Sequence, residues 1–320
     1  MTVTPDLDKP PESRGGSAAP GTLTRVLGSP YLLLALASLC WSGNHIIGRA
    51  ASGEVPPIGI STARWLIPAL LLWPFARAHV KRDWPLMRAH WGIMLWLGLT
   101  GGALFSALQY IGLQHTSAVN VSVLNSLVPV LILAAAAVVF GDRIAPAQLI
   151  GIAISLAGVL VVITRGSLDT LRHLSFNWAD LLIVVNMAMF AIYAAYLRLR
   201  PHIHWLSFMF ALSAMSAAMT LPFAIWEAAA GVTFQPTLLT AVAVIYVALF
   251  PSIVAFAAWN RGVELIGAAR AGPFLHLVPI FTAVLSITLL GEPLLAFHLI
   301  GFGTILAGVW LASRGRRPPV

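Results

Sequence analysis

The sequence predicts an all-α membrane protein of ten transmembrane helices, arranged as two inverted five-helix repeats around a central cavity. Three observations lead there. The 320 residues are 59% hydrophobic and 9% charged, whereas a water-soluble domain is about one quarter charged. Apolar runs long enough to cross about 30 Å of hydrocarbon, roughly 20 residues each, recur along the whole chain. The stretch "LVPVLILAAAAVVFGD", Leu127–Asp142, returns 150 positions later as "LVPIFTAVLSITLLGE", Leu277–Glu292.

Residues 1–28 are polar and contain Pro, Gly and Ser, so they read as a disordered cytoplasmic tail. Arg25 with the apolar "YLLLALASLC" and the small residues Ala35–Ala37 has the outline of a cleaved leader. The repeat described below argues for keeping that segment. The first five spans are Tyr31–Ala50, Ile58–Ala76, Trp91–Leu113, Ser117–Phe140 and Pro146–Thr164. The second five are Trp178–Arg198, Trp205–Trp226, Leu238–Trp259, Arg270–Leu290 and Ala296–Ser313. They are too long and too evenly apolar for barrel strands, and a helix satisfies its own backbone in lipid.

Net charge is +8, from 19 Lys and Arg against 11 Asp and Glu. The basic residues sit in short segments between apolar runs, which points to membrane topology rather than to nucleic acid. With the N-terminus inside, fifteen of them fall on the cytoplasmic side. Only Arg49, Arg165 and Arg172 fall outside, and Arg64 lies within a span. Both termini are therefore expected in the cytoplasm. The single Cys40 can form no intrachain disulfide, and no residue cluster suggests a metal or a cofactor.

The echo extends beyond the opening stretch. In one ungapped register Gly112 meets Gly262, Ala118 meets Ala268, and Pro129 meets Pro279. Gly141-Asp142 then meets Gly291-Glu292, and "LAGV" at Leu156–Val159 meets Leu306–Val309. Trp41 through Arg49 lies like Phe190 through Arg198 at an offset of 149. The repeats span residues 29–166 and 174–315. Five helices is an odd number, so the second copy enters the membrane upside down, as in carriers whose site lies between inverted repeats.

Paired five-helix repeats, the doubled Leu-Val-Pro with Gly-Asp or Gly-Glu, and the first-helix "WSGNHIIGR" resemble the EamA-type transporters of the drug/metabolite transporter superfamily. Within it the chain is most similar to bacterial amino-acid exporters, particularly the aromatic amino-acid branch. Related members move sugars, nucleotide sugars, cations or drugs. Asp142 stands where the family more often has Glu. The resemblance implies a bacterial inner-membrane carrier whose helices one, three, four, six, eight and nine line a cavity. Helices five and ten pack outside.

Polar side chains inside the spans should face protein or water, and helical spacing groups them. The first helix carries Trp41, Asn44, His45 and Gly48 on one stripe; the third carries Gly98, Gly101, Gly102, Phe105 and Gln109. The fourth offers Ser122, Asn125, Ser126 and Pro129, and the sixth Asn186 and Tyr193. The eighth offers Tyr246, with Trp259 and Asn260 at its inner end, and the ninth His276. Each could equally serve an interhelical hydrogen bond; the stacked stripes of the first and fourth helices favour the cavity. The candidate substrate-binding set is Trp41, Asn44, His45, Gln109, Ser122, Asn125, Ser126, Asn186, Tyr193, Tyr246 and His276. Pro129 and Pro279, each able to kink its helix, are candidate hinges. Ser155, on the fifth helix, is expected to lie away from the site. The glycines of "GIAISLAG" and "GFGTILAG", residues 151–158 and 301–308, suit close packing within the chain, and a monomer is favoured over a dimer.

All eleven carboxylates fall in the tail, loops or span ends, which favours facilitative movement over a carboxylate proton relay. A neutral, aromatic-edged cavity suits a zwitterion better than a phosphate. Intramembrane enzyme chemistry finds no His-Glu-x-x-His, no Gly-x-Ser-x-Gly and no cysteine cluster. The expected partners are the lipid bilayer and small molecules, amino acids above all, and not nucleic acid. Reporter fusions after Arg82 and after Arg317 should both report cytoplasm, and one near Gln235 periplasm. A periplasmic C-terminus would exclude the ten-helix topology.

Overall fold

The computed structural model describes residues 28–51, 53–116, 121, 124–164, 166–167, 169, 172, 177–290 and 295–314. The expected tail thus lies, save Gly28, outside the described residues. Helices account for the architecture, with no β-strand among the described residues. In chain order they are α1 (Pro30–Ala50), α2 (Pro57–Ala89), α3 (Trp91–His115), α4 (Val128–Phe140) and α5 (Pro146–Ile163). There follow α6 (Trp178–Leu199), α7 (Trp205–Ala229) and α8 (Leu238–Ile266). Next, α9 runs from Ala268–Ala271 through a 3-10 stretch, Gly272–His276, into Leu277–Leu290, and α10 is Ala296–Ser313. Among the described residues nine helices are long and apolar enough to cross a membrane, and α4 is a shorter apolar helix of 13 residues. The opening of the expected fourth span, Ser117–Phe140, falls partly outside the described residues.

Helix α2 runs on past its expected end at Ala76, through Pro85, to Ala89. Its last turns carry Arg77, Lys81, Arg82 and Arg88, which no longer belong in hydrocarbon. Large apolar side chains such as Leu70, Phe75, Val138 and Leu238 are exposed, as a surface solvated by lipid requires.

Corresponding helices of the two copies pair with each other. Helices α5 and α10 meet backbone to backbone and antiparallel. A Cβ on Gly151 would lie 2.4 Å from the Ala312 nitrogen, and one on Gly158 would lie 2.7 Å from that of Ile305. Gly308 faces Ser155 as closely. The small residues therefore serve packing within the chain.

Helices α2 and α7 are also antiparallel and cap one another. The N-cap of α2 is Pro56, which has no side-chain acceptor. Glu227, at the far end of α7, accepts instead from the Ile58 and Gly59 amides at 3.2 and 2.7 Å. At the other end Asp83 of α2 accepts from the His204 amide at 2.9 Å and the Ser207 hydroxyl at 2.8 Å. A carboxylate at a helix N-terminus gains both hydrogen bonds and the helix dipole. The His204 ring stacks on His79 at 3.6 Å, and burial with the neighbouring His79 and Arg82 lowers its pKa.

Both copies are irregular at matching places. Helix α3 has a π segment at Leu99–Ala103 and α8 one at Ala248–Val254. Helix α4 is preceded by a turn at Ser126 and Leu127, and α9 carries its 3-10 stretch up to His276. Pro129 and Pro279 follow these breaks, with Pro129 in the first turn of α4, where a missing N–H costs nothing. Replacing Glu227 by Ala should destabilise the protein by about 2 kcal/mol, since two charge-assisted bonds leave buried amides behind. The Asp83→Ala loss should simply add to it, the two caps lying about 38 Å apart along α2. Denaturation of single and double variants in detergent checks both; a strongly non-additive result would refute independent caps.

Candidate functional site

A cavity of about 490 Å³ lies between the two copies. It begins near the middle of the helices, at Trp41 and Phe190, and reaches the end marked by Ala50, Leu113, Ile163 and Phe297. Helix α1 supplies Trp41 and Asn44, α3 Phe105 and Gln109, and α9 His276, Pro279 and Thr282. The segment leading into α4 supplies Asn125 and Ser126.

Its inner wall is fixed by hydrogen bonds. His276 is buried; its Nε2 lies 2.8 Å from the Ser126 carbonyl and its Nδ1 2.5 Å from the Ser155 hydroxyl. A carbonyl only accepts, so Nε2 carries the proton. In the neutral ring Nδ1 then accepts from Ser155. Should the ring be protonated, Nδ1–H can donate to Ser155, whose hydroxyl turns to the Ile152 carbonyl 3.1 Å away. One hydroxyl rotation accommodates either state. On the opposite wall Tyr110 donates to Asn44 Oδ1 at 2.9 Å.

The other end is sealed. Trp41, Phe190 and Trp259 form a floor with ring centroids 5.4–5.6 Å apart, backed by Phe256. Beyond it Phe140 packs on Tyr196 at 5.4 Å. Arg198 lies over Phe140 at 4.1 Å and holds Asp142 with two hydrogen bonds. Arg200 and Arg261 reach Glu264 at 2.8 and 3.0 Å.

Two broken helices meeting beside a cavity, in a repeated helical architecture, is the arrangement of a carrier. The sequence profile of the EamA-like transporter family matches residues 28–164 and, a second time, 177–314. The chain belongs to that family. An uncharacterized transporter of Bacillus subtilis strain 168, YetK, is 28% identical over 304 residues, covering 94% of this chain and 92% of its own. A probable terminal-alkyne amino-acid exporter of Streptantibioticus cattleyicolor is 28% identical over 230 residues, 69% of this chain and 73% of that one. A solved crystal structure aligns with a TM-score of 0.71 at 18% identity over 89% of this chain and 96% of that chain, which speaks to the fold alone. As an EamA-like transporter the chain is a multi-pass membrane protein.

Of the residues expected from sequence, this EamA-like chain brings Trp41, Asn44, Gln109, Asn125, Ser126, His276 and Pro279 to the cavity. Others lie between helices. Tyr193 donates to Asn260 at 2.6 Å and packs where Gly101 leaves room. Tyr246 donates to the Cys40 carbonyl at 3.0 Å. Asn186 is buried with its Oδ1 unpartnered, and Pro129 is buried at the start of α4. None of these four is among the lining residues described. Ser122 and the His45 side chain lie outside the described residues.

Helix α8, expected at the wall, supplies no lining residue among those described; α5 and α10 do, through Val162, Ile163, Phe297 and His298. The cause is the aromatic floor: Trp41 donates to the Pro251 carbonyl at 3.2 Å and lies between α8 and the cavity. Ser155 also departs from expectation, since it holds His276 rather than pointing away. Phe190, which also lines the cavity, is missing from the sequence-based set; the signal that could have found it is its place as the repeat partner of Trp41. His276→Ala and Asn125→Ala should lower initial transport rates roughly two- to tenfold at normal membrane abundance. Ser155→Ala should show a smaller loss of the same kind. If rate per inserted molecule is unchanged in all three, the residues are structural.

Proposed function

We propose that the protein exports amino acids with neutral, chiefly aromatic side chains, and related small metabolites, across the bacterial inner membrane. In this reading the two copies are inverted repeats that alternate access to one site, and solute moves down its own gradient. The observation that carries it is the cavity: aromatic rings at its floor, neutral hydrogen-bonding groups on its walls, and no carboxylate among the lining residues described. Asn offers donors and acceptors together, and neutral His one of each, which suits a zwitterion with an apolar side chain. The relative named a probable terminal-alkyne amino-acid exporter supports amino acids as the cargo.

With both termini cytoplasmic, the cavity opens to the outside, and the floor and the Asp142–Arg198 pair close the cytoplasmic end. In an exporter that is the arrangement from which cargo leaves the cell. Purified protein in liposomes should equilibrate labelled phenylalanine or leucine without an imposed proton gradient. Uptake only with such a gradient would refute the facilitative mechanism and turn attention to His276. Uptake of cationic drugs but no amino acid would refute the cargo.

A further inference from the structure

Arg64 of α2 is fully buried in the middle of the protein. Its Nε donates to the Ser252 hydroxyl at 2.9 Å, while neither Nη1 nor Nη2 has a hydrogen-bond partner. Among the described residues no carboxylate pairs with it. A guanidinium stays charged at any physiological pH, and a buried charge without a counter-ion is strongly disfavoured. The charge sits just behind the cavity. Its carbon lies 5.8 Å from the ring of Phe105, which lines the cavity. The Tyr110 hydroxyl, a neutral neighbour that interacts with Arg64 through the guanidinium charge and a longer side-chain hydrogen bond, donates to Asn44 on the same wall. One turn along from Phe105, Gln109 presents an Oε1 that is also buried and unpartnered.

We propose that Arg64 determines specificity: its charge, held behind Phe105 and Asn44, selects solutes bearing a carboxylate over the same skeleton without one. The cargo's own anionic group, on the cavity side of Phe105, supplies the negative charge that no carboxylate among the described residues places beside Arg64. Gln109 Oε1, lacking a donor, suits the ammonium of the same molecule. Ser252 holds the Nε of the fork and leaves the two terminal nitrogens, one of the edges at which a guanidinium attracts carboxylates, without a close hydrogen bond. The proposal rests on the amino-acid carrier reading of the cavity.

The test is exchange of labelled phenylalanine in proteoliposomes, inhibited by unlabelled phenylalanine or by phenylalaninamide, which keeps the ammonium and ring but has no carboxylate. Wild-type protein should prefer the acid by roughly tenfold or more in inhibitory concentration. Arg64→Met should bring the two inhibitors within about twofold of each other, whatever its absolute rate. A merely structural arginine would lower the rate and leave that ratio unchanged. Should Arg64→Met fail to insert, Ser252→Asp decides, because it supplies the guanidinium with a carboxylate from within the chain. Its loss of acid preference supports the proposal, and its keeping of it refutes the proposal. Wild-type exchange with equal inhibition by both compounds overturns Arg64's role while the carrier stands. No exchange of any amino acid overturns the cargo reading and this proposal with it.

Discussion

The contact between His276 and the Ser126 carbonyl is the joint on which the rest of the molecule turns. A helix that breaks inside a membrane frees backbone groups that lipid cannot satisfy. Among the described residues the helix is interrupted just before α4 and within α9, and the two places meet: His276 of one donates to the Ser126 carbonyl of the other. The two residues stand 150 positions apart, the offset of the sequence echo itself. The cavity exists because two discontinuous helices face each other there. Everything that holds His276 therefore holds the cavity. Ser155 grips its other nitrogen, α5 carries Ser155, and α5 is pinned to α10 through Gly151, Gly158 and Gly308. A larger residue at those glycines would push on backbone, not on a yielding side chain.

Around that joint the remaining helices supply rigidity. The mutual caps of α2 and α7 fix two long antiparallel helices at both ends through carboxylate-to-amide hydrogen bonds. The π segments of α3 and α8 share a purpose. Each opens a carbonyl to a tryptophan donor: Trp65 to Gly102 at 3.2 Å, Trp41 to Pro251 at 3.2 Å. A π-bulge is often retained where a site needs it. The one in α8 seats the floor of the cavity.

The helices and their doubling were legible because they depend on long apolar runs and on Gly, Pro and acid positions that survive averaging. The site was legible only in part. Stripe spacing grouped Asn44 and Asn125 with polar neighbours on their own faces, and these two line the cavity; His276, which has no such stripe in the sequence, lines it too. Spacing could not separate a cavity face from a helix–helix face, so Tyr193 and Tyr246 were grouped with them although both are spent on bonds between helices. Ser155 was invisible for another reason. Its role depends on His276 of a different helix in the other copy, and nothing local to α5 records that. Arg64 was readable as a lone buried cation, but its distance from the wall depends on how α2 packs behind α3.

The sealed end carries one further piece of the logic. Arg198 ends α6 of the second copy, and Asp142 follows α4 of the first, so their pair ties one copy to the other across the closed side. In the sequence, Arg49 stands 149 residues before Arg198, and Glu292 stands 150 after Asp142. The same two charges are thus assigned once to each copy, with the roles of the copies exchanged. Under the inverted-repeat reading those positions belong to opposite faces of the membrane. A charge pair partly exposed to water is weak by itself, about 1 kcal/mol or less. Under the proposed alternating access that weakness suits a gate, because a closure worth many kcal/mol would hold the carrier in one state and leave the cargo little say in the balance.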